Sequence, residues 1–415
     1  MKKIGILTYH RSINYGAIMQ AYSLSERLSR DFPEYTVEII DYMSEAADRI
    51  YHPSFWRFLQ LASTKKDLRG KAVLIKQAFI FLRKQLTGRR DYGLNQIFER
   101  QLKSLRLSES YIVSDDENIL FEQIKDKYDA VVVGSDAVFN WQIRQFPSPY
   151  FLAGDIGALK LSYAASSYGQ EYTTIDNYQK NYISNAWRTF SYLGVRDSAT
   201  EEFIRFVDSS FNPHHNCDPT VFLELDSIPV EDSEIKALFI DKGIDVTKPI
   251  VGIMAQDWLG KLVRDILGEK YQIVAIFKDN PYADFYLQNL SPFQWSKVFR
   301  YFSVTFTHFF HGNLLSLKNE TPTIVIENRT PYNAAHNSKI RDLMGRMNLL
   351  DFCYYRDEID SDEQRKGILY AVEDRIKNRH ECGERIREGL ERESLNYNTF
   401  YEALKSALNN DPPIT

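Results

Sequence analysis

The stretch Lys3-Ile4-Gly5-Ile6-Leu7-Thr8, followed after a polar loop by Asn14-Tyr15-Gly16-Ala17-Ile18-Met19-Gln20, decides the fold class. A short apolar run that breaks into a loop and then an amphipathic pattern reads as strand, loop, helix. Open α/β sheets bind ligands just beyond the carboxyl end of such a strand. A helix opening near Gly16 is expected to aim free backbone N–H groups and a positive dipole end at that place, which suits a phosphate or carboxylate. The loop contains neither G-x-G-x-x-G nor G-x-x-x-x-G-K-[ST], so a dinucleotide or P-loop reading has no support.

Working outward, Val37-Glu38-Ile39-Ile40-Asp41 reads as a second parallel strand. Ala130-Val131-Val132-Val133, ahead of Gly134-Ser135-Asp136, fits a strand buried on both faces. Leu161–Ser166 and Tyr192–Arg196 read as further strands, and Asn216-Cys217-Asp218-Pro219-Thr220 ends another at a proline turn. The pattern fades into an acidic stretch at about 225–248, the expected domain boundary. A second alternation follows, with strands at Pro249–Met254, Gln272–Phe277, Ser303–Thr307 and Pro322–Glu327. Its helices are predicted at Trp258–Leu267, from Ser291-Pro292 to Phe302, at His311–Lys318 and at His336–Met347. Residues 361 to 409 read as charged helices. The expected organisation is one doubly wound α/β domain over 1–235, a second over 245–360, and C-terminal helices over 361–415 that return to brace the first. The two domains face each other across a cleft that holds the site.

A helical insertion near 53–106 interrupts the first domain. Between Phe55 and Arg90 it sets ten Lys and Arg residues among Trp56, Phe58, Val73, Ile75, Phe79 and Ile80, with Asp67 the only acid. Such a basic amphipathic segment either packs its apolar face on the domain or lies on an anionic membrane.

The chain has 415 residues and a formal net charge of −5, which argues against a general nucleic-acid binder. Cys217, Cys353 and Cys382 form no C-x-x-C and predict a reducing compartment. The direct start at Lys2-Lys3-Ile4 predicts no signal peptide, and no run approaches the roughly 20 apolar residues of a membrane span. A cytoplasmic location follows, with membrane association through the insertion as its variant. Aromatic residues reach 14%, which serves core packing or a sugar-facing surface.

Three strand ends carry candidate chemistry. Asp136 would act as a general base toward a hydroxyl or cap the next helix. His311, in Thr307-His308-Phe309-Phe310-His311-Gly312, opens a helix, so it is expected to be neutral when the site is empty and to gain a proton beside a bound dianion. Its bland alternative is a structural helix-cap histidine. Arg196 suits a bidentate grip on a carboxylate or phosphate, or else an ion pair with Asp197 or another acid. The eight histidines are scattered without H-E-x-x-H, and G-x-S-x-G is absent, so neither a metal site nor an α/β-hydrolase is expected.

Taken in order, these segments resemble the polysaccharide pyruvyl transferase family. The resemblance rests on Ile4–Thr8 with Asn14-Tyr15-Gly16-Ala17 and Gln20-Ala21-Tyr22, on Tyr128–Asp136, and on Ser162–Ser166 with Gly169. It continues through Val195-Arg196-Asp197, Cys217–Thr220, and Phe310-His311-Gly312 with Ser316 and Pro322. It implies two Rossmann-like domains, as in two-domain glycosyltransferases. It also implies transfer of pyruvate from phosphoenolpyruvate onto two hydroxyls of a sugar or lipid-linked oligosaccharide, forming a cyclic ketal without metal or organic cofactor. On that resemblance His311 is the acid or an anion ligand, Arg196 holds the donor, Asn14 and Gly16 line the cleft, and Asp136 is the base. Members often carry an arginine where this chain has Phe309, and Lys339 or Arg341 would supply the missing charge. The alternatives are a glycosyltransferase-like enzyme using a nucleotide sugar and a non-catalytic glycan-binding relative.

Overall fold

The computed structural model of the chain describes residues 2–45, 47–48, 59, 62–63, 68–86, 91–141, 146–330 and 337–409. The first unit is built on β1 (Lys3–Leu7), β2 (Thr36–Ile39), β5 (Ala130–Val133), β6 (Leu159–Ala165), β7 (Phe190–Val195) and β8 (His214–His215). These strands are all parallel, in the order β2-β1-β5-β6-β7-β8. A side ribbon pairs β3 (Tyr42–Met43) with β4 (Ile112–Val113). Helices of this unit among the described residues are α1 (Tyr15–Asp31), α2 (Leu68–Leu86), α3 (Asp91–Leu102), α4 (Glu117–Ile124), α5 (Asn177–Trp187) and α6 (Ser198–Val207).

The second sheet contains β9 (Ile250–Met254), β10 (Gln272–Ala275), β11 (Phe285–Tyr286), β12 (Val304–Thr307), β13 (Thr323–Glu327) and β14 (Cys353–Tyr355). It is also parallel, in the order β11-β10-β9-β12-β13-β14. Its helices are α7 (Asp232–Asp241), α8 (Asp257–Leu267), α9 (Pro292–Val298), α10 (Phe310–Lys318) and α11 (Lys339–Arg346). The chain then runs through α12 (Asp362–Lys377), α13 (Arg379–Ser394) and α14 (Asn398–Leu408).

Apolar continuity explains the sheets. Every residue of β5 and β9 is buried, because helices cover both faces of a parallel sheet. In each sheet the chain winds outward in both directions from its first strand. The resulting switch points fall between β1 and β5 and between β9 and β12, where doubly wound folds bind ligands.

The two units share one hydrophobic core. Tyr15 of α1 stacks on Trp295 of α9 at 4.8 Å, and Tyr22 meets Phe293 at 5.0 Å. Helix α7 packs Phe239 against Tyr301 and Phe302 beside the second sheet. At the other end α14 returns to the first unit, with Phe400 lying 4.7 Å from Tyr163 and 5.5 Å from Tyr192.

Several elements differ from the sequence reading. The helix predicted from His336 starts at Lys339 with Ser338 as its cap, and His336 itself lies outside the described residues. The helix predicted to Phe302 is α-helical only to Val298 and tightens into a 3₁₀ turn over Phe299–Tyr301. Strands β3, β4, β11 and β14 were not predicted. With two or three residues each, they are too short to show a period. Of the insertion, Trp56, Phe58, Lys65, Lys66 and Asp67 lie outside the described residues, as do Arg89 and Arg90.

Candidate active site

The switch points of the two sheets meet where α1 and α10 begin. A Cβ on Gly16 would lie 2.0 Å from His311 Cδ2, so glycine is what lets the imidazole rest on the first turn of α1. The expected anion cradle at this helix start is not open. The Asn14 side chain accepts from the backbone N–H groups of Gly16 at 3.0 Å and Ala17 at 3.3 Å. Asn14 is therefore an N-cap that consumes the donors the sequence reading left for a ligand.

Gln20, one turn into α1, pins the first switch point. Its Nε2 donates to Thr8 Oγ1 and to the Tyr9 carbonyl, and its Oε1 accepts from Ser135 Oγ. Thr8 Oγ1 in turn donates to the Ser135 carbonyl at 3.0 Å. Farther out on the same loop, His10 and Arg11 both bind Asp41 and hold residues 9–12 against the β3 ribbon. A depression of about 440 Å³ opens there, between Tyr9, Arg11, Tyr42, Ser148 and Tyr150.

Asp136 does not cap a helix, because a turn follows it. It sits at φ +73°, a left-handed conformation that costs a non-glycine residue on the order of 1–3 kcal/mol. Its Oδ1 accepts from Ala137 N at 2.8 Å and lies 3.7 Å from Arg196 Nη2. Arg196 directly follows β7 with its side chain only 2% exposed, and Nη1 donates to Asp218 Oδ2 at 2.8 Å. Its ion-pair partners are thus Asp218 and Asp136. Asp197 is engaged otherwise, capping α6 through Thr200 and accepting from Ser166 Oγ at 2.5 Å. An irregular register between β6 and β7 at Ser162 and Ala165, with Ala164 at φ +47°, turns Ser166 toward that carboxylate.

Lys339 opens α11 beside this cluster. Its Nζ lies 5.5 Å from both the Phe310 and Tyr168 ring centroids and has no hydrogen-bond or ion-pair partner among the described residues. Helix α11 is tied to the first unit where Asp342 accepts from Ser198 N at 3.2 Å and from Arg346 Nη1 at 2.6 Å. Phe310 lies under both cations, since the Arg196 guanidinium is 4.7 Å from its centroid. Arg341 is held elsewhere, against Tyr355 at 3.7 Å and 3.8 Å from Glu327. Its guanidinium meets none of the cluster's side chains.

The electrostatics follow from burial and charge. Burial pushes His311 below the usual histidine range. Asp218 and Asp136 pull against that shift, while Arg196 and Lys339 reinforce it. Nδ1 of His311 is buried without a hydrogen-bond partner among the described residues. Burial also lowers Lys339, with Arg196 adding to the effect. Burial alone would raise the Asp218 carboxyl, but a charged His311, Arg196 and the Thr220 N–H group hold it below its ordinary value. The arrangement is a desolvated histidine of lowered proton affinity and an ammonium unpaired among the described residues, beside a guanidinium that two carboxylates already balance. An incoming anion would favour protonation of that histidine.

Asp218 was quoted for its place in a proline turn but was not nominated as a site residue. His308 is a further residue that the sequence does not single out. It follows β12 directly, and both of its ring nitrogens are buried without hydrogen-bond partners among the described residues. A wider crevice of about 1200 Å³ lies at the far end of α10, where Arg300 and Arg387 are matched by Asp226 and Glu320. It is separate from the cluster around His311.

A family model for polysaccharide pyruvyl transferases matches residues 14–330, from the cap of α1 to the loop after β13. The chain belongs to that family. Its members are named as transferases, and Asp136, Arg196, Asp218 and His311 all fall within the matched span. No curated protein sequence matches this member of the family significantly. Among solved structures, UDP-GlcNAc 2-epimerase from Neisseria meningitidis, bound to UDP-GlcNAc, superposes with a TM-score of 0.50 at 9% identity, covering 98% of this chain and 100% of that one. The N-terminal domain of Candida albicans trehalose-6-phosphate phosphatase gives 0.50 at 9% identity, covering 97% and 96%. At that identity the likeness is one of fold, two Rossmann-like units across a cleft.

Proposed function

We propose that this family member transfers pyruvate from phosphoenolpyruvate to two hydroxyls of one sugar in a cell-surface polysaccharide precursor, leaving a cyclic ketal. The observation that carries the reading is Lys339, an ammonium with no partner among the described residues, beside Arg196 and the buried His311. Phosphoenolpyruvate brings a phosphate and a carboxylate and needs cations and an acid. Lys339 takes the role that an arginine at position 309 would have filled.

In this mechanism the bound trianion raises the proton affinity of His311, which protonates the methylene carbon of the enol phosphate. One sugar hydroxyl attacks the resulting cationic carbon as Asp136 accepts its proton. Phosphate leaves, and the neighbouring hydroxyl closes the ring. Of the two hydroxyl protons, one ends on the new methyl group and the other on phosphate, so the sum needs no further reactant. Phosphoenolpyruvate is a cytoplasmic metabolite, and the three buried, unpaired cysteines suit a reducing compartment.

The test is phosphate release from phosphoenolpyruvate in the presence of galactoside or mannosaminide acceptors. Release that requires both donor and acceptor is expected. Thermal stabilisation by nucleotide sugars but not by phosphoenolpyruvate would overturn the reading in favour of a glycosyltransferase-like activity. Absence of turnover on a broad acceptor panel would favour a glycan-binding role.

A further inference from the structure

Thirteen large apolar side chains are strongly exposed among the described residues, and four of them, Val73, Ile75, Phe79 and Ile80, fall within two turns of α2. Phe79 is 59% exposed and Val73 54%. Among the side chains described, the buried Ala78 and the half-buried Leu74 and Leu82 lie on the inward side of the same helix and give it a core-facing stripe. The exposed apolar residues form two further rows. Val73 and Ile80 are seven apart on one, and Ile75 and Phe79 are four apart on the other. Lys76 and Arg83, also seven apart, run between those rows. The nineteen residues of α2 contain five Lys and Arg residues and no Asp or Glu.

We infer that the outer face of α2 docks this protein on an anionic lipid surface. Apolar rows flanking a basic row match a bilayer interface, where apolar side chains enter the acyl boundary and long cationic ones reach up to phosphate. A second copy of the chain is a poor occupant, because pairing this face with itself would set one basic row against another. No helix of the described residues is long and apolar enough to cross a membrane, so the contact is peripheral.

Helix α2 leads into α3, whose Phe98 packs on Tyr15 at 5.0 Å in the first turn of α1. Asn95, Phe98 and Glu99 of α3 border the His10–Ile13 loop after β1. Resting on the proposed pyruvyl transfer, such docking would hold the protein at the surface that carries its acceptor.

The experiment is co-sedimentation of the full chain with vesicles of phosphatidylcholine and phosphatidylglycerol in equal parts, against vesicles of phosphatidylcholine alone, with neither donor nor acceptor present. The wild type is expected to pellet with the anionic vesicles and to be released by salt. The pair Lys76→Glu and Arg83→Glu should weaken partition at least about fivefold per charge. Ile75→Ser with Ile80→Ser should weaken it without changing its salt dependence. Equal sedimentation with both vesicle types overturns the inference, as does unchanged binding by both pairs of variants. Concentration-dependent self-association that the same substitutions abolish without vesicles also overturns it, in favour of a second copy. Both variants should keep the wild-type circular dichroism. Pelleting without phosphate release sinks the pyruvyl reading alone, and phosphate release by a protein that stays in the supernatant sinks the docking alone.

Discussion

Position 16 is glycine because His311 occupies the space a side chain would need. Gly16→Ala would place a carbon 2.0 Å from the imidazole, and displacement of the ring by about 1 Å should lower turnover on the order of a hundredfold. Steady-state phosphate release checks this, with circular dichroism confirming the fold. Lys339→Met should raise KM for phosphoenolpyruvate about ten- to a hundredfold, as expected for the loss of one charged hydrogen bond, while the same assay shows less change in KM for the acceptor. His308 is a separate case. Burial, with Lys278 adding, lowers it to about 4, so the unfolded chain binds its proton near pH 6.5 and the folded chain near 4. The unfolded state therefore holds more protons in that window, and stability should rise with pH across it by on the order of 3 kcal/mol. Urea midpoints at pH 5 and pH 7 test the sign, and His308→Gln should shrink the gap between them. Histidine and arginine at strand ends are legible in sequence because topology sends strand ends to the site. Asp218 was not nominated, since an acid before proline looks like a turn, and only the fold brings it to Arg196.

Among the elements, α1 shows how far local pattern reaches. Its position followed from apolar spacing, and its ligand-facing end did not. Whether helix N–H groups are free depends on the rotamer of one side chain, and Asn14 has spent two of them internally. Asn14→Ala should cost about 1 kcal/mol of unfolding free energy, measurable by denaturant titration. Asp136 shows the opposite limit. Its residue type and spacing suit a cap, but the backbone at φ +73° leads into a turn and leaves the carboxylate beside Arg196. The long buried strands were readable because both of their faces are apolar. The edge strands β11 and β14 were not, since pairing with a neighbour, rather than their own pattern, makes them strands.

Over the whole molecule, two doubly wound units could be anticipated from the two alternations, but their shared core could not. Contacts such as Tyr15 on Trp295 join residues with no local relation. The same holds for α14, which buries Phe400 and Leu404 completely and packs Phe400 against Tyr163 and Tyr192 of the first sheet's core. A chain truncated before Asn398 should lose roughly 5 kcal/mol or more from the first unit. Hydrogen exchange should then accelerate in β6 and β7 more than in β9 and β12. Tyr397 also donates to Asp31 at a sequence separation of 366 residues. On the ribosome, then, β6 and β7 emerge long before their covering helix exists. At ordinary elongation rates the interval is on the order of ten to forty seconds. Through that time the exposed tyrosine faces are open to chaperones and to neighbouring nascent chains, and the first half of the protein cannot finish folding until the second half has been made.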